Sequence, residues 1–182
     1  MTELVGADRF ASLCDRLEDD YGAVPVVEKT WHVEPASYDR FRERLRAGAN
    51  GGAGIWLTND AGEVLLVRNE GDHGWGDPGG KVEPDESVET AALRETREET
   101  GVEAEIVGLN DVHRVTVRDE TDPDRPAVIA PIVVFDGHHV GGEPRPRDGE
   151  IAAVEWFRSA PETVLYEEVA TRRYPADSRP ES

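Results

Sequence analysis

The stretch from Gly80 to Val102 constrains the fold of this 182-residue chain more than any other segment. Positions 85–87 read Asp-Glu-Ser, acidic and hydroxyl residues that suit the first turn of a helix. Neither glycine nor proline occurs between positions 87 and 100, and Gly101 is suited to ending a helix. The sequence therefore predicts one helix that spans about 87–100.

Three glutamates of this predicted helix, Glu95, Glu98 and Glu99, share one face because they are spaced by three and four residues. Carboxylates crowded in this way repel one another, so the arrangement is costly without a counter-ion. Carboxylate oxygens are the ligands that hard divalent cations such as Mg²⁺ and Mn²⁺ prefer. A solvated acidic face is the alternative interpretation, but it leaves the glycines and the arginine at fixed offsets around these glutamates unexplained.

The same stretch resembles the Nudix box, the signature of the Nudix hydrolases. That pattern is glycine, five residues, glutamate, seven residues, Arg-Glu, an aliphatic, any residue, Glu-Glu, any residue, glycine and an aliphatic. Every glycine and charged position is filled, by Gly80, Glu86, Arg94, Glu95, Glu98, Glu99 and Gly101. Thr96 departs from the pattern by replacing an aliphatic residue, and we expect its hydroxyl to bond the carbonyl of Ala92.

The resemblance implies an α/β fold, an α/β/α sandwich around a mixed β-sheet. It also implies hydrolysis of a nucleoside diphosphate linked to another moiety, with Mg²⁺ or Mn²⁺ as cofactor and a nucleotide-type small molecule as substrate. Glu95 and Glu99 are then metal ligands, together with the backbone carbonyl of Gly80. Glu98 is a metal ligand or the general base, and Glu150 is the alternative base, since the position of the base varies within the family.

Three box residues are implied to be structural. Glu86 is expected to pair with Arg94, which orients the helix and the preceding loop, and Gly101 is expected to end the helix. Upstream, Trp75 ahead of a Pro-Gly-Gly sequence is similar to the aromatic-to-glycine entry of the family and is a candidate substrate-binding residue. Asp77 stands where the family usually has a hydrophobic residue, so local packing there is expected to differ.

Two other functions are left open by the residues. A Nudix-fold nucleotide-binding or regulatory module that has lost catalysis is the first, although such a module has no need for every glutamate of the box. The isomerase branch of the superfamily is the second. It requires an active-site cysteine, and Cys14, the one cysteine of the chain, lies outside the Nudix-like part.

Charge limits the partners that the chain can have. Its 20 basic and 39 acidic residues give a net charge of −19, which argues against a nucleic-acid polymer or an anionic membrane as the main partner. Lys29 and Lys81 are the only lysines, and this combination is typical of proteins from salt-loving archaea, whose cytoplasmic salt screens self-repulsion. No apolar run approaches transmembrane length, so a cytoplasmic location is expected.

The chain is predicted to contain an N-terminal helix–strand–helix extension, residues 1–48, and a Nudix domain, residues 49–182. Within the extension, a helix is expected at 8–21, a strand at 24–33 and a second helix from Pro35. In this second helix, four arginines are interleaved with the apolar residues, at positions 40, 42, 44 and 46. They could form a solvated face or line the entrance to an anionic substrate site. The extension itself could complete the pocket or form a homodimer interface.

In the Nudix-like part, strands are predicted at 53–58, 64–68, 104–118, 127–135 and 151–157 from their β-branched and alternating residues. A last helix is expected to begin near Pro161. The tail from Pro175 onward is expected to be frayed.

Overall fold

The computed structural model describes residues 4–49 and 51–177, in which eight strands and four helices form one mixed sheet with helices on both faces. The strands are β1 (Leu4–Val5), β2 (Val26–Val33), β3 (Gly52–Thr58), β4 (Val64–Asn69), β5 (Gly79–Lys81), β6 (Glu103–Asp119), β7 (Ala127–Gly141) and β8 (Ile151–Phe157). The helices are α1 (Ala7–Tyr21), α2 (Pro35–Arg46), α3 (Val88–Thr100) and α4 (Glu167–Thr171). None of these helices is long and apolar enough to cross a membrane.

The sheet has the strand order β2-β6-β7-β3-β4-β8, with β1 added to β7 and β5 added to β3. The long β6–β7 hairpin is antiparallel, whereas β2 pairs with β6 and β3 pairs with β7 in parallel. This combination confirms the mixed sheet that was expected from the resemblance.

Alternation along the strands separates two apolar faces. On β7, Ile129, Val133 and Phe135 pack in the cluster beneath α1 and α3. The even-numbered residues of the same strand face the other way, where Val128 packs with α2 and Val134 packs with α4. Helices therefore cover both sides of the sheet, and the α/β/α sandwich is confirmed.

The extension is continuous with this sheet. Strand β2 pairs with β6 along its whole length, from Val26 opposite Val112 to Val33 opposite Asp119. Helix α2 packs through buried Tyr38 and Leu45 onto the sheet face that carries Val128. Together, β2 and α2 extend the second face of the sandwich beyond the β-strands of the Nudix-like part.

The box helix has the ends that its sequence predicts. The Ser87 side chain accepts a hydrogen bond from the Thr90 N–H at 3.1 Å, which satisfies one of the free donors of the first turn. Gly101 adopts the left-handed conformation, with φ 71°, and its N–H donates to the Arg97 carbonyl. A Cβ at position 101 would approach the Glu143 carbonyl to 3.3 Å, so glycine also suits the packing.

Two predictions near the C-terminus are wrong. The last helix begins at Glu167 instead of near Pro161, because Val164 forms a β-bridge with Trp75, through hydrogen bonds of Thr163 O and Leu165 N. The tail is not frayed from Pro175, since Ala176 is buried and its N–H donates to Gly62 at 2.8 Å. The remainder of the predicted frayed tail, 178–182, lies outside the described residues.

Strand β7 is six residues longer than predicted and ends at Gly141. Its extra residues pair with the first part of β6, where Glu105 lies opposite His138 and Ala104 opposite His139. This pairing between distant segments explains why a sequence without a clear strand pattern is nonetheless extended.

Thr96 also departs from its prediction. Its side chain is fully buried, and within the described part of the chain its hydroxyl finds no hydrogen-bond partner, so the expected bond to Ala92 does not form. The hydroxyl one turn later, on Thr100, instead donates to the Thr96 carbonyl at 2.5 Å. The buried Thr96 hydroxyl is therefore a local cost to the fold.

Candidate active site

The box glycines lie directly against the glutamates of α3. Strand β5 pairs with β3, which places Gly79 and Gly80 beside the helix. The Gly79 N–H donates to the Glu99 carboxylate at 3.0 Å. A Cβ on Gly80 would lie 2.4 Å from the Glu95 carboxyl carbon, so only glycine lets that carboxylate approach the loop backbone so closely.

Arg94 holds the helix, the loop and the carboxylates in one arrangement. Its guanidinium forms two hydrogen bonds to Glu86, at 2.8 and 3.0 Å, so the predicted pair is present. It also donates to the Lys81 carbonyl at 3.0 Å and to Glu95 at 2.8 Å. The hydrogen bond from Arg94 lowers the pKa of Glu86, which keeps this carboxylate charged.

Glu99 is the most strongly perturbed carboxylate of the helix. Only 6% of its surface is exposed. This burial raises the pKa of Glu99 to about 8 despite the hydrogen bond from Gly79, and the charges of Glu95, Glu150 and Asp77 raise it as well. The repulsion between Glu95 and Glu99 is the part that the sequence spacing predicted, whereas Glu150 and Asp77 come from other segments of the chain.

Glu98 and Glu150 are brought together by an arginine that sequence analysis did not single out. Arg147 bonds Glu98 at 3.4 Å and Glu150 at 3.1 Å, and its backbone N–H donates to the Glu99 carbonyl. Both carboxylates are about half exposed, at 44% and 50%. The loop before β8 thus places Glu150, the second candidate base, beside the box helix.

The donor set suits a hard cation. Glu95 and Glu99 present carboxylate oxygens next to the backbone of Gly80, and Glu99 is buried with like charges around it. Oxygen donors of this kind fit Mg²⁺ or Mn²⁺. In the described part of the chain, no three carboxylate, imidazole or thiolate side chains converge as a ready-made metal cluster. Glu98 bonds Arg94 at 3.5 Å as well as Arg147.

A cavity of about 650 Å³ adjoins the box loop. Its floor is formed by β3, β6 and β7, and its rim includes Gly79, Gly80 and Lys81. Trp75 is not among its lining residues. It packs instead against Phe157, with ring centroids 4.8 Å apart, in the cluster that surrounds α4.

A buried ionic network borders the cavity at Asp77, the position that departs from the family pattern. Arg172 lies 3.3 Å from Asp77 and 2.9 Å from Asp111, and only 5% of its side chain is exposed. His113, which lines the cavity, lies 3.2 Å from Asp111. Asp77 was the one signal for this network in the sequence, because a carboxylate in an apolar position requires a partner.

Comparison with known families agrees with this architecture. The profile of the NUDIX domain matches residues 49–175, more than half of the chain. The chain belongs to the NUDIX domain family. The segment that resembles the Nudix box lies within the matched residues and includes parts of β5 and α3, where the glycines and glutamates described above meet.

Three similar proteins illustrate the range of similarity. An RNA pyrophosphohydrolase of Pseudomonas fluorescens is 48% identical over 56 residues, which are 31% of this chain and 35% of the relative. A putative 8-oxo-dGTP diphosphatase of Bacillus subtilis is 33% identical over 106 residues, 58% of this chain and 64% of the relative. The crystal structure of a MutT NUDIX hydrolase from Burkholderia pseudomallei shares 28% identity with a TM-score of 0.51, covering 64% of this chain and 90% of that one.

The chain spans about a third of the length of the RNA pyrophosphohydrolase that it matches. In this relative the similarity is local, whereas the solved structure matches over most of its own length.

Proposed function

We propose that this Nudix protein is a metal-dependent pyrophosphohydrolase that cleaves a phosphoric anhydride bond in a nucleoside diphosphate linked to another moiety. The observation that carries the proposal is the meeting of Glu95 and Glu99 with Gly79 and Gly80 at the rim of a large cavity. A diphosphate placed at this rim would lie beside the carboxylates.

Each residue has a role that its surroundings support. Glu95, Glu99 and the Gly80 carbonyl would hold the cation, with Glu98 as a further ligand or as the base. The cation supplies charge neutralisation for the diphosphate and lowers the pKa of water. Glu98 is our first choice for the group that takes the proton of the attacking water, and Glu150 is the alternative.

The reaction balances without any further reactant. The water oxygen bonds to one phosphorus, the anhydride P–O bond breaks, and the bridging oxygen leaves on the other phosphate. The water proton goes to the carboxylate base. Arg147, which bonds both Glu98 and Glu150, would keep the two candidate bases at the same place.

The relatives support the class of bond without fixing the substrate. One is named an RNA pyrophosphohydrolase and another a putative 8-oxo-dGTP diphosphatase, and both names describe attack on linked phosphates. A net charge of −19 favours a small nucleotide over a nucleic-acid polymer.

We further propose that the protein works in the cytoplasm of a salt-adapted cell. Its acidity and its two lysines support this proposal, whereas the relatives named above are bacterial and give no support to an archaeal origin. A homodimer remains the alternative use of the extension, and the oligomeric state is measurable by light scattering in molar KCl.

A nucleotide panel tests the proposed function. Purified protein in molar KCl with millimolar Mg²⁺ is incubated with nucleoside diphosphate sugars, dinucleoside polyphosphates and nucleoside triphosphates, and released phosphates are quantified. We expect metal-dependent cleavage of at least one diphosphate-linked compound and none after chelation. If no compound is cleaved while ADP still binds, the nucleotide-binding module replaces the hydrolase as the better interpretation.

A further inference from the structure

We propose that the N-terminal extension supplies the nucleoside-binding wall of the cavity, with Trp31 as the platform on which the base stacks and Arg40 as a cation for its phosphates. This inference rests on the proposed function and adds the part of the site that selects a nucleotide. It assigns a binding role to β2 and α2, which lie outside the matched NUDIX domain.

The charge of the cavity points to an anionic ligand. The chain has about two acidic residues for each basic one, but four basic side chains and a single carboxylate line this cavity. The basic residues are Lys29, Arg40, Arg44 and Lys81, and the acidic residue is Asp77. Both lysines of the chain thus line the cavity, although Lys29 is paired with Glu168 at 2.6 Å, and Asp77 is paired with Arg172.

An aromatic surface lies at the far end of the same cavity. Trp31 is 40% exposed although it is large and apolar, and it meets Phe41 edge-on with ring centroids 6.3 Å apart. Both rings line the cavity. An exposed indole supported by a second ring is suited to stacking with a base, which has a π-face whatever its identity.

The two ends of the cavity lie on different strands of the sheet. Residues of β2 form one end and Gly80 and Lys81 of β5 form the other, with β6, β7 and β3 between them. Four strand spacings of about 4.8 Å give about 19 Å. A diphosphate held at the box loop could therefore carry a nucleoside that extends toward Trp31.

Helix α2 separates cavity-facing arginines from the others. Arg40 and Arg44 line this cavity, whereas Arg42 and Arg46 line a different one between α1 and α2. Arg44 is fixed to the box loop by a hydrogen bond to the Val82 carbonyl at 2.9 Å. Among residues 4–49 and 51–177, the side chain of Arg40 bonds Ser37 at 2.6 Å and lies 3.9 Å from Glu34, both through the same nitrogen, so it retains donors for a phosphate.

The inference is tested by measuring ligand binding to a variant that we expect not to hydrolyse the ligand. In a Glu98→Gln background with Mg²⁺, calorimetry compares ADP, which has a base, with inorganic pyrophosphate, which has none. We expect Trp31→Ala to weaken ADP binding about tenfold or more and to change pyrophosphate binding less than twofold. Arg40→Gln should weaken both ligands about threefold or more, and Arg42→Gln, the matched control on the same helix, should weaken neither.

Further variants at Trp31 distinguish loss of the aromatic ring from loss of folding. Trp31→Leu keeps an apolar side chain at this position but removes the aromatic face, so it should lose ADP affinity like Trp31→Ala, and Trp31→Phe should retain most of it. The inference is overturned if the leucine variant binds ADP within twofold of the parent, if ADP and pyrophosphate weaken equally, or if the parent does not bind ADP at millimolar concentration. Cleavage of the nucleotide panel by the parent protein is a separate result. If the proposed nucleoside-binding wall is wrong, the proposed hydrolase function still stands on that result.

Discussion

Replacing Thr96 by valine should stabilise the protein. The Thr96 hydroxyl is fully buried without a hydrogen-bond partner in the described structure, a situation that costs about 1–3 kcal/mol. A methyl group in the same place adds apolar burial of about 0.8 kcal/mol. We therefore expect Thr96→Val to raise the free energy of unfolding by about 2 kcal/mol, which corresponds to roughly 4–8 °C in Tm for a chain of this size.

Thr100 provides the matched control, since it is also fully buried and lies one turn later in α3. Its hydroxyl donates to the Thr96 carbonyl at 2.5 Å and accepts from the Val102 N–H at 3.1 Å, so Thr100→Val should destabilise by about 1–3 kcal/mol. Thermal and urea unfolding in molar KCl measure both variants. If Thr96→Val is neutral or destabilising, or if the two variants behave alike, the hydrogen-bond argument for this helix is wrong.

Three further predictions concern charge. Tm should rise from low to molar KCl because salt screens the self-repulsion of a −19 chain within about 10 Å at 0.1 M, and a flat or falling Tm would contradict the salt-adapted interpretation. Hydrogen bonds from Thr121 and Arg125 lower the pKa of Asp119 to about 2, so its stabilising effect is present above about pH 4 and is lost as the pH falls through 2. Asp119→Asn should flatten that part of the acid-unfolding curve, and an unchanged curve would refute the assignment. Millimolar Mg²⁺ in molar KCl should raise stability, by about 2.7 kcal/mol at a hundred times Kd. Glu95→Gln with Glu99→Gln should remove most of the gain, and a full gain in the double variant would place the cation elsewhere.

The box helix and its pairings could be predicted because their causes are local. The ends of α3 depend on Ser87 and Gly101, which act on backbone groups within one turn. The Glu86–Arg94 pair follows from residues eight positions apart that a helix and its preceding turn bring together. The helix ends were predicted from local sequence signals, and the Glu86–Arg94 pair was implied by the resemblance to the Nudix box.

The missed features depend on contacts between distant segments. Arg147 reaches Glu98 across 49 positions of sequence, and Arg172 reaches Asp77 across 95. The cavity wall formed by β2 depends on pairing with β6, which the sequence of β2 does not specify. Trp75 was assigned to substrate from its place before the glycines, but its ring packs on Phe157 from the late strand.

The hydrolysis step is tested most directly by comparing Glu98→Gln and Glu150→Gln. Both changes are nearly isosteric, and both side chains are about half exposed, so Tm should be nearly unchanged. Turnover of the best panel substrate with saturating Mg²⁺ should fall at least tenfold in Glu98→Gln, equivalent to about 1.4 kcal/mol of barrier. The alternative base predicts that loss in Glu150→Gln instead. Turnover within tenfold of the parent in both variants would contradict a carboxylate base at this site.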